Sequence, residues 1–341
     1  MSYRFLAVLG ALAVLLASPI PGQTSGGAAK SARGAQAKNS IPQTPDGHPD
    51  LSGIWTNATI TPMERPSQFA NKPTVTDAEA AVYEQAQAQD LKDEDGKSDG
   101  PIIRAAGSSG TGGYNALFLD RGTQMARVDG VKRSSLIIDP PEGKMPPLTA
   151  EARARFGKMM HNFTNYDDVK IRPFSERCIL GFGSTAGPPM MPVLYNNTYE
   201  FVQTKDAIMI LVEMVHDLRV IRMDGTHRPS NIRALLGDSI GHWDGETLVV
   251  DTTNFRAEGA FFGASENLHV IERLRRIDPE TILYRVTLDD PSTYAKQWTM
   301  EFPFRATPGP VYEYACHEGN YAMTDIMGGA RKMEAESGKK K

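Results

Sequence analysis

The sequence predicts a mainly β fold, an antiparallel β-barrel or sandwich with a few short peripheral helices. About eight runs rich in β-branched and aromatic residues lie between residues 199 and 317. Short polar turns such as Lys205-Asp206 and Asp278-Pro279-Glu280 separate successive runs, which predicts antiparallel hairpins. The sequence contains no repeat of fixed period, so a propeller is not expected.

Local signals predict the order of the elements. Thr76 followed by Glu79 forms a capping-box pattern and predicts a helix that extends to about residue 91. Thr149 predicts the cap of a short helix through Phe156 and Met160. The strands are predicted, in order, at residues 134–139, 199–204, 207–215, 218–223, 241–251 (a hairpin), 268–277, 281–288, 298–304 and 311–317.

Composition and the N-terminal residues predict an exported protein. The chain has 341 residues, and 37 Lys and Arg against 41 Asp and Glu give a net charge of -4, which favours neither nucleic acid nor a membrane surface as a partner. Arg4, the apolar residues 5–17 and the small residues after them predict a signal peptide over residues 1–22. The alternative is an uncleaved membrane anchor. We expect a periplasmic or extracellular protein with no stable membrane insertion once the signal peptide is cleaved.

The rest of the chain is predicted to divide into three parts. Residues 23–48 are rich in Gly, Ser, Ala, Lys and Gln, which predicts a flexible linker. Residues 49–330 are expected to form one β-rich domain, with helices and loops over residues 49–175 and the strands over residues 176–330. Residues 331–341 are predicted to be a charged, frayed tail.

Cys178 and Cys316 are the two cysteines of the chain. In an oxidising compartment such a pair favours a disulfide. Two separate buried thiols, or one reactive cysteine, are the alternatives. A bridge would bring residues 176–177 close to residues 317–318 and create a dense cluster of charges.

Three segments place ionisable residues within apolar, strand-like runs, where a buried polar group needs a partner or a function. In residues 213–219, a period of two puts Glu213 and Asp217 on one strand face and His216 on the other. The second segment contains His242 and Trp243 beside a predicted turn.

The third segment, residues 313–321, crowds polar groups at one predicted strand end. A period of two puts Glu313 and His317 on one face and Tyr314 on the other. The competing interpretation for all three segments is structural. In that interpretation the charged residues are ion-paired strand ends, such as Asp217 with Arg219, and the histidine of the second segment is a surface residue.

Long stretches of the chain are similar to a family of secreted bacterial proteins that is common in soil lineages. The matching stretches are residues 49–55, 61–66, 118–122, 135–141, 176–181, 187–189, 213–217, 237–255, 265–268 and 314–321. These motifs, among them residues 176–181, 241–255 and 314–321, are long and specific to the family. This resemblance covers most of residues 49–330, and it implies membership without a mechanism. Gly53-x-Trp55 also resembles the start of lipocalin-like barrels, in which the tryptophan plugs one end, so a lipocalin-like barrel is one form of the predicted fold.

The leading hypothesis is an exported enzyme, a hydrolase or a lyase, that acts on a small organic molecule by general acid–base chemistry. His216 is predicted as the base, oriented by Asp217 or Glu213, because a histidine beside a carboxylate titrates near neutral pH. His317 or Glu318 is predicted as the proton donor. The predicted substrate-binding residues are Arg177, Arg219, His242, Trp243 and Tyr314.

A variant of this hypothesis has His216, His242 and His317 bind a divalent metal that activates water. No nucleotide cofactor is expected, since the sequence lacks a P-loop and lacks Gly-x-Gly-x-x-Gly after a strand. The alternatives are a lipocalin-like protein that binds an apolar small molecule and a structural envelope protein whose charged motifs are salt-bridge networks. The enzyme hypothesis requires residues near positions 177, 216, 242 and 317 to surround one cavity.

Overall fold

The computed structural model describes residues 40–95, 119–181, 187–259 and 261–338. The predicted signal peptide, the linker up to residue 39 and the last three residues of the predicted tail lie outside the described residues. Within the described ranges, none of the helices combines the length and the apolar character that a bilayer crossing requires.

The predicted mainly β fold is confirmed. The strands are β1 (Gly53–Thr56), β2 (Thr74–Val75), β3 (Arg127–Val128), β4 (Val131–Arg133), β5 (Ile137–Asp139), β6 (Thr198–Gln203), β7 (Ala207–Val212), β8 (Leu218–Met223), β9 (Asp238–Asp244), β10 (Thr247–Thr253), β11 (His269–Asp278), β12 (Thr281–Asp289) and β13 (Trp298–Ala306). The helices are α1 (Asp77–Asp95), α2 (Ala150–Phe163) and α3 (Ala322–Glu336).

A closed, nine-stranded barrel forms the centre of the fold. Strand β1 is followed around the barrel by β6 to β13 in sequence order, and β13 pairs with β1 to close it. Strand β5 pairs with β13 outside this ring, and β2, β4 and β3 form a separate small sheet. All barrel pairs are antiparallel except β8 with β9, which are parallel. Residues 224–237 make the return connection that this parallel pair requires.

Local sequence signals account for the helix starts and the hairpins. The capping box at α1 is confirmed, because the Thr76 amide donates to Glu79 Oε2 over 2.9 Å and the Glu79 amide donates to Thr76 Oγ1 over 3.2 Å. Thr149 caps α2 by accepting a hydrogen bond from the Ala152 amide at 3.1 Å. The pairs β6–β7, β9–β10 and β11–β12 are hairpins with short turns, and these turns lie together at one end of the barrel, called here the hairpin end.

Aromatic side chains pack inside the barrel. Tyr199, Tyr284 and Phe304 are fully buried, and the Phe304 ring centroid lies 5.1 Å from Tyr199 and 5.5 Å from Tyr284. Trp55 is also buried, donates from Nε1 to the Leu51 carbonyl over 3.0 Å and lies under the Arg276 guanidinium. Since Arg276 lies two residues before the end of β11, close to the β11–β12 turn, Trp55 packs toward the hairpin end.

Three predicted segments differ from the structure. Residues 213–217 are not the continuation of a strand but the loop that joins β7 to β8, in which Val215 and His216 have left-handed backbone conformations. The predicted shared strand face of Glu213 and Asp217 is therefore wrong. Residues 311–317 form no strand, because β13 already pairs with β12 on one side and with β5 and β1 on the other. The predicted frayed tail is wrong for residues 331–336, which continue α3.

Candidate functional site

A cleft of about 800 Å³ opens at the end of the barrel where β7 ends, called here the cleft end. Three segments form its walls: residues 175–181, the β7–β8 loop and residues 313–322. Its lining residues are Ser175, Glu176, Cys178, Gly181, Tyr195, Met214, Val215, Glu313, Tyr314, Ala315, Cys316, Glu318, Gly319, Asn320 and Ala322. A volume of this size is within the range of small-molecule pockets, roughly 300–1,000 Å³.

A disulfide between Cys178 and Cys316 joins two walls of the cleft, as predicted. Asn320 adds a second link, since its Nδ2 lies 3.3 Å from Cys178 Sγ and 3.5 Å from the Glu176 carbonyl oxygen. The bridge therefore positions an irregular segment that no β-strand pairing holds in place.

Strained backbone conformations gather around this cleft. Val215 and His216 are consecutive residues with positive φ, 58° and 44°, and Cys178 has a φ of 53°. A left-handed conformation is costly for a β-branched residue such as Val215. Such strain persists only where the surrounding structure enforces it, and it is frequent at functional sites.

Asp217 ends the β7–β8 loop and lies one layer behind the cleft wall. It accepts a hydrogen bond from the backbone N–H of Gly181, and it shares its five-residue loop with Val215; both of these residues line the cleft. Burial raises the pKa of the Asp217 carboxyl to about 7, and the Gly181 hydrogen bond only partly opposes this. Within the described residues, Asp217 Oδ2 is the one buried carboxyl oxygen that lacks a hydrogen-bond partner.

Glu213 lies at the start of the same loop but does not line the cleft. Its carboxylate is buried and accepts a hydrogen bond from Asn196 Nδ2 over 3.0 Å. Burial, with a contribution from the Glu213 charge, raises the pKa of the neighbouring Asp120 carboxyl. Glu213 is thus held by a side-chain partner, whereas Asp217 keeps a free oxygen.

The cleft lining carries acidic and aromatic side chains. Glu176 forms two hydrogen bonds with Arg172, of 2.9 and 2.7 Å. Glu313 and Glu318 are exposed, and the rings of Tyr195 and Tyr314 supply aromatic surface. No lysine, arginine or histidine is among the lining residues found in the described part of the chain.

Neither of the predicted substrate-binding arginines is a lining residue of the cleft. Arg219 points into the barrel, where it pairs with the fully buried Glu272 and donates to Ser239 Oγ over 2.9 Å. The Arg177 guanidinium stacks on Phe174 and donates to the backbone of its own segment. Arg219 is thus part of an internal ion pair, which also satisfies Tyr284 through Glu272.

The three predicted histidines do not converge. His216 and His317 are exposed and belong to the cleft segments, but neither lines the cleft. His242 lies on β9 near the β9–β10 turn, six strand positions and therefore about 20 Å along the barrel wall from the start of β8. Trp243 stacks on His48 with a centroid separation of 4.7 Å, at the same distant location.

The geometry offers no metal centre in the described residues. No group of three or more His, Cys, Asp or Glu side chains in these ranges is arranged to hold a metal ion. Of the predicted metal ligands, His216 and His317 belong to the cleft segments, whereas His242 lies toward the hairpin end.

A cluster on the outer barrel wall was missed by the sequence interpretation. His227 in the β8–β9 connection bridges two carboxylates, with Nδ1 3.1 Å from Asp238 Oδ2 and Nε2 2.9 Å from Asp251 Oδ1. His269 Nε2 lies 2.9 Å from the other Asp251 oxygen, Oδ2. The hydrogen bond to Asp251 raises the pKa of His269. Asp251 and His269 are diagonal neighbours in the β10–β11 register, so that register would have revealed the pair.

Comparison with known proteins adds no assignment. No family model matches the chain, and neither the curated proteins nor the solved structures gave a match.

Proposed function

We propose that this protein is an exported enzyme that binds a small organic molecule in the cleft and transfers a proton through Asp217. The Asp217 carboxyl, with a pKa of about 7 and one uncommitted oxygen, is the observation that carries this proposal. A group that titrates near the working pH can both donate and accept a proton, which is what general acid–base catalysis requires. The reaction class is a hydrolysis or an elimination.

The proposal keeps the proton transfer predicted from the sequence and assigns its central role to a carboxyl. His216 is the base that the sequence predicts, but its side chain does not line the cleft. Glu313 and Glu318 do line it, and either carboxylate can remove a proton from water or from the substrate while Asp217 donates its proton to the leaving group.

Proton transfer requires Asp217 to come within hydrogen-bond reach of the substrate, about 3 Å. Asp217 lies behind Val215 and Gly181, so the β7–β8 loop must shift when substrate binds. The two left-handed residues of this loop favour such a shift, because leaving that conformation releases backbone strain.

A screen of small esters, glycosides, lactones and amines for turnover tests the proposal. We expect Asp217→Asn to lower kcat about 100-fold or more, the usual contribution of a positioned acid or base. Asp224→Asn, an exposed aspartate after β8, is the matched control and should leave kcat unchanged. Turnover that survives Asp217→Asn contradicts the catalytic role.

A binding protein without catalysis is the second candidate. The sealed position of Asp217 Oδ2 and the size of the cleft favour it, because a ligand can fill the cleft without reaching that oxygen. Saturable binding of a screened compound, with no turnover of any compound, would favour this candidate over the enzyme.

A further inference from the structure

The charge of the residues that line the proposed small-molecule site indicates the class of its ligand. We propose that the cleft selects an organic cation, a molecule with an ammonium group and an apolar body, over neutral and anionic molecules of the same shape. This inference rests on the proposed function, since it names the ligand class of the same cleft.

The charged side chains that line the cleft are acidic. Three lining residues, Glu176, Glu313 and Glu318, are acidic, and the described lining contains no basic side chain. Arg172 neutralises Glu176 through two hydrogen bonds. Glu313 and Glu318 have no ion-pair partner within the described residues, so two negative charges face an incoming ligand.

The arginines in the wall segments and next to them are committed elsewhere. Arg172 is buried, and besides Glu176 it donates to three backbone carbonyls of residues 162–165. Arg177 stacks on Phe174 and donates to the Lys170 carbonyl. Arg331 of α3 donates to the Tyr166 carbonyl over 2.6 Å and to Glu334. An anionic ligand therefore finds no lining cation to pair with.

Aromatic and apolar side chains line the same cleft as the acidic ones. Tyr195 and Tyr314 line the cleft together with Met214 and Ala315. The face of an aromatic ring attracts a cation, and this attraction grows when the cation is partly desolvated. Aliphatic surface beside it binds an apolar body. Because no described group of side chains is arranged to hold a metal ion, the arrangement suits an organic cation rather than a bare divalent one.

Three compounds that share one phenylpropyl body test this inference: 3-phenylpropylammonium, 3-phenylpropan-1-ol and 3-phenylpropanoate. Their Kd values for the full mature protein are measured by NMR titration at pH 7.5 in low salt. We expect the ammonium compound to bind about tenfold more tightly than the alcohol, and the carboxylate to bind most weakly. Adding 0.5 M NaCl should reduce the preference, since exposed charges are screened.

The double variant Glu313→Gln with Glu318→Gln removes the two unpaired charges. We expect it to weaken ammonium binding about five- to tenfold and to leave alcohol binding unchanged. The control is Glu246→Gln with Glu280→Gln, which removes two exposed glutamates at the hairpin end and should change neither Kd.

The outcomes separate the two proposals. Equal binding of all three compounds, with no effect of the cleft variant, overturns cation selection but leaves the cleft as a small-molecule site. Preferred binding of the carboxylate, or no binding of the ammonium compound, also overturns cation selection. Loss of turnover in Asp217→Asn tests the enzyme independently, because Asp217 is not one of the residues changed here. Addition of Ca²⁺ or Mg²⁺ in place of the ammonium compound should give no saturable shift of cleft resonances.

Discussion

The two ends of the barrel are built from the same strands but differ in how the chain connects those strands. At the hairpin end, short turns connect neighbouring strands, and Trp55 packs beneath Arg276. At the cleft end, the β7–β8 loop contains two left-handed residues and a carboxyl with a free buried oxygen, and long segments are joined by a disulfide. The regular turns of the hairpin end stabilise the fold. The cleft end instead contains strained backbone and an unpaired buried oxygen, which do not stabilise it. Such local departures are expected at functional sites.

Removal of the disulfide should have the largest effect on stability and should affect the cleft end more than the hairpin end. The bridge closes a sequence separation of 138 residues. Changing both cysteines to serine should lower the free energy of unfolding by about 4–5 kcal/mol in the chain-entropy account. Urea titration measures this loss, and hydrogen exchange should rise in residues 313–320 while the β11–β12 turn stays protected. Uniform exchange across both ends would contradict a special role of the bridge at the cleft.

Asp217→Asn should stabilise the protein at high pH only. Its folded pKa is raised above the ordinary 3.8, so ionisation opposes folding, and the cost grows as pH rises from about 4 to about 7. Asparagine stays neutral, and the gain at pH 8.5 should be at most about 4 kcal/mol, with little difference at pH 4. Urea titrations at both pH values measure this, with Asp224→Asn as control. An equal effect at both pH values would contradict the raised pKa.

Glycine substitutions of two exposed histidines compare the backbones of the two ends. His216→Gly should raise the free energy of unfolding by about 1 kcal/mol, because its φ of 44° is unfavourable for any residue with a Cβ. His242→Gly, in the extended strand β9, should lower it by about 1 kcal/mol. Thermal and urea unfolding of both variants measure the difference. Equal destabilisation by both changes would show that the β7–β8 loop is not strained.

The outer cluster should show the smallest effect, less than about 1 kcal/mol, because its members are partly exposed. The raised pKa of His269 means that its contact with Asp251 stabilises the fold below about pH 6.5 and is lost as pH rises through the folded value. His269→Ala should therefore cost more at pH 5.5 than at pH 9. A cost that grows with pH would contradict this pairing.

Asp251 and Asp217 change the stability of the fold with pH in opposite directions. Although burial acts to raise it, hydrogen bonds from His269 and His227 lower the pKa of Asp251. Asp251 therefore stabilises the fold above its ordinary pKa of 3.8, and this contribution is lost as pH falls, whereas Asp217 opposes folding as pH rises. The hydrogen-bond partners of an aspartate, rather than its residue type, therefore decide whether its ionisation stabilises or destabilises the fold.

Local features of the structure could be predicted from the sequence. The hairpins, the helix caps at Thr76 and Thr149 and the mainly β fold follow from residues that are neighbours in the chain, and the disulfide follows from two cysteines in a chain that is predicted to be exported. The β7–β8 loop could not be predicted in this way. The apolar run before Glu213 continues into Met214 and Val215, which a period of two extends as a strand, while the barrel requires the chain to turn there.

Contacts that depend on strand register were also outside the reach of the sequence. The Arg219–Glu272 pair and the His227–Asp251–His269 cluster join residues on strands that are distant in the chain. The assignment of His242 to the same cavity as His216 failed for the same reason, since the parallel β8–β9 pair places His242 toward the other end. The free oxygen of Asp217 depends on the packing around it, which no residue pattern encodes.

The pKa of Asp217 tests the account most directly. NMR titration of the protein labelled with ¹³C at the aspartate carboxyl carbons, with the Asp217→Asn variant to assign the resonance, gives this value. The account predicts a midpoint of about 7 for Asp217 in the free protein, and a change in that midpoint when a cleft ligand binds. A midpoint near the ordinary value of 3.8 would mean that Asp217 is an ordinary, charged loop residue and would contradict its role in proton transfer.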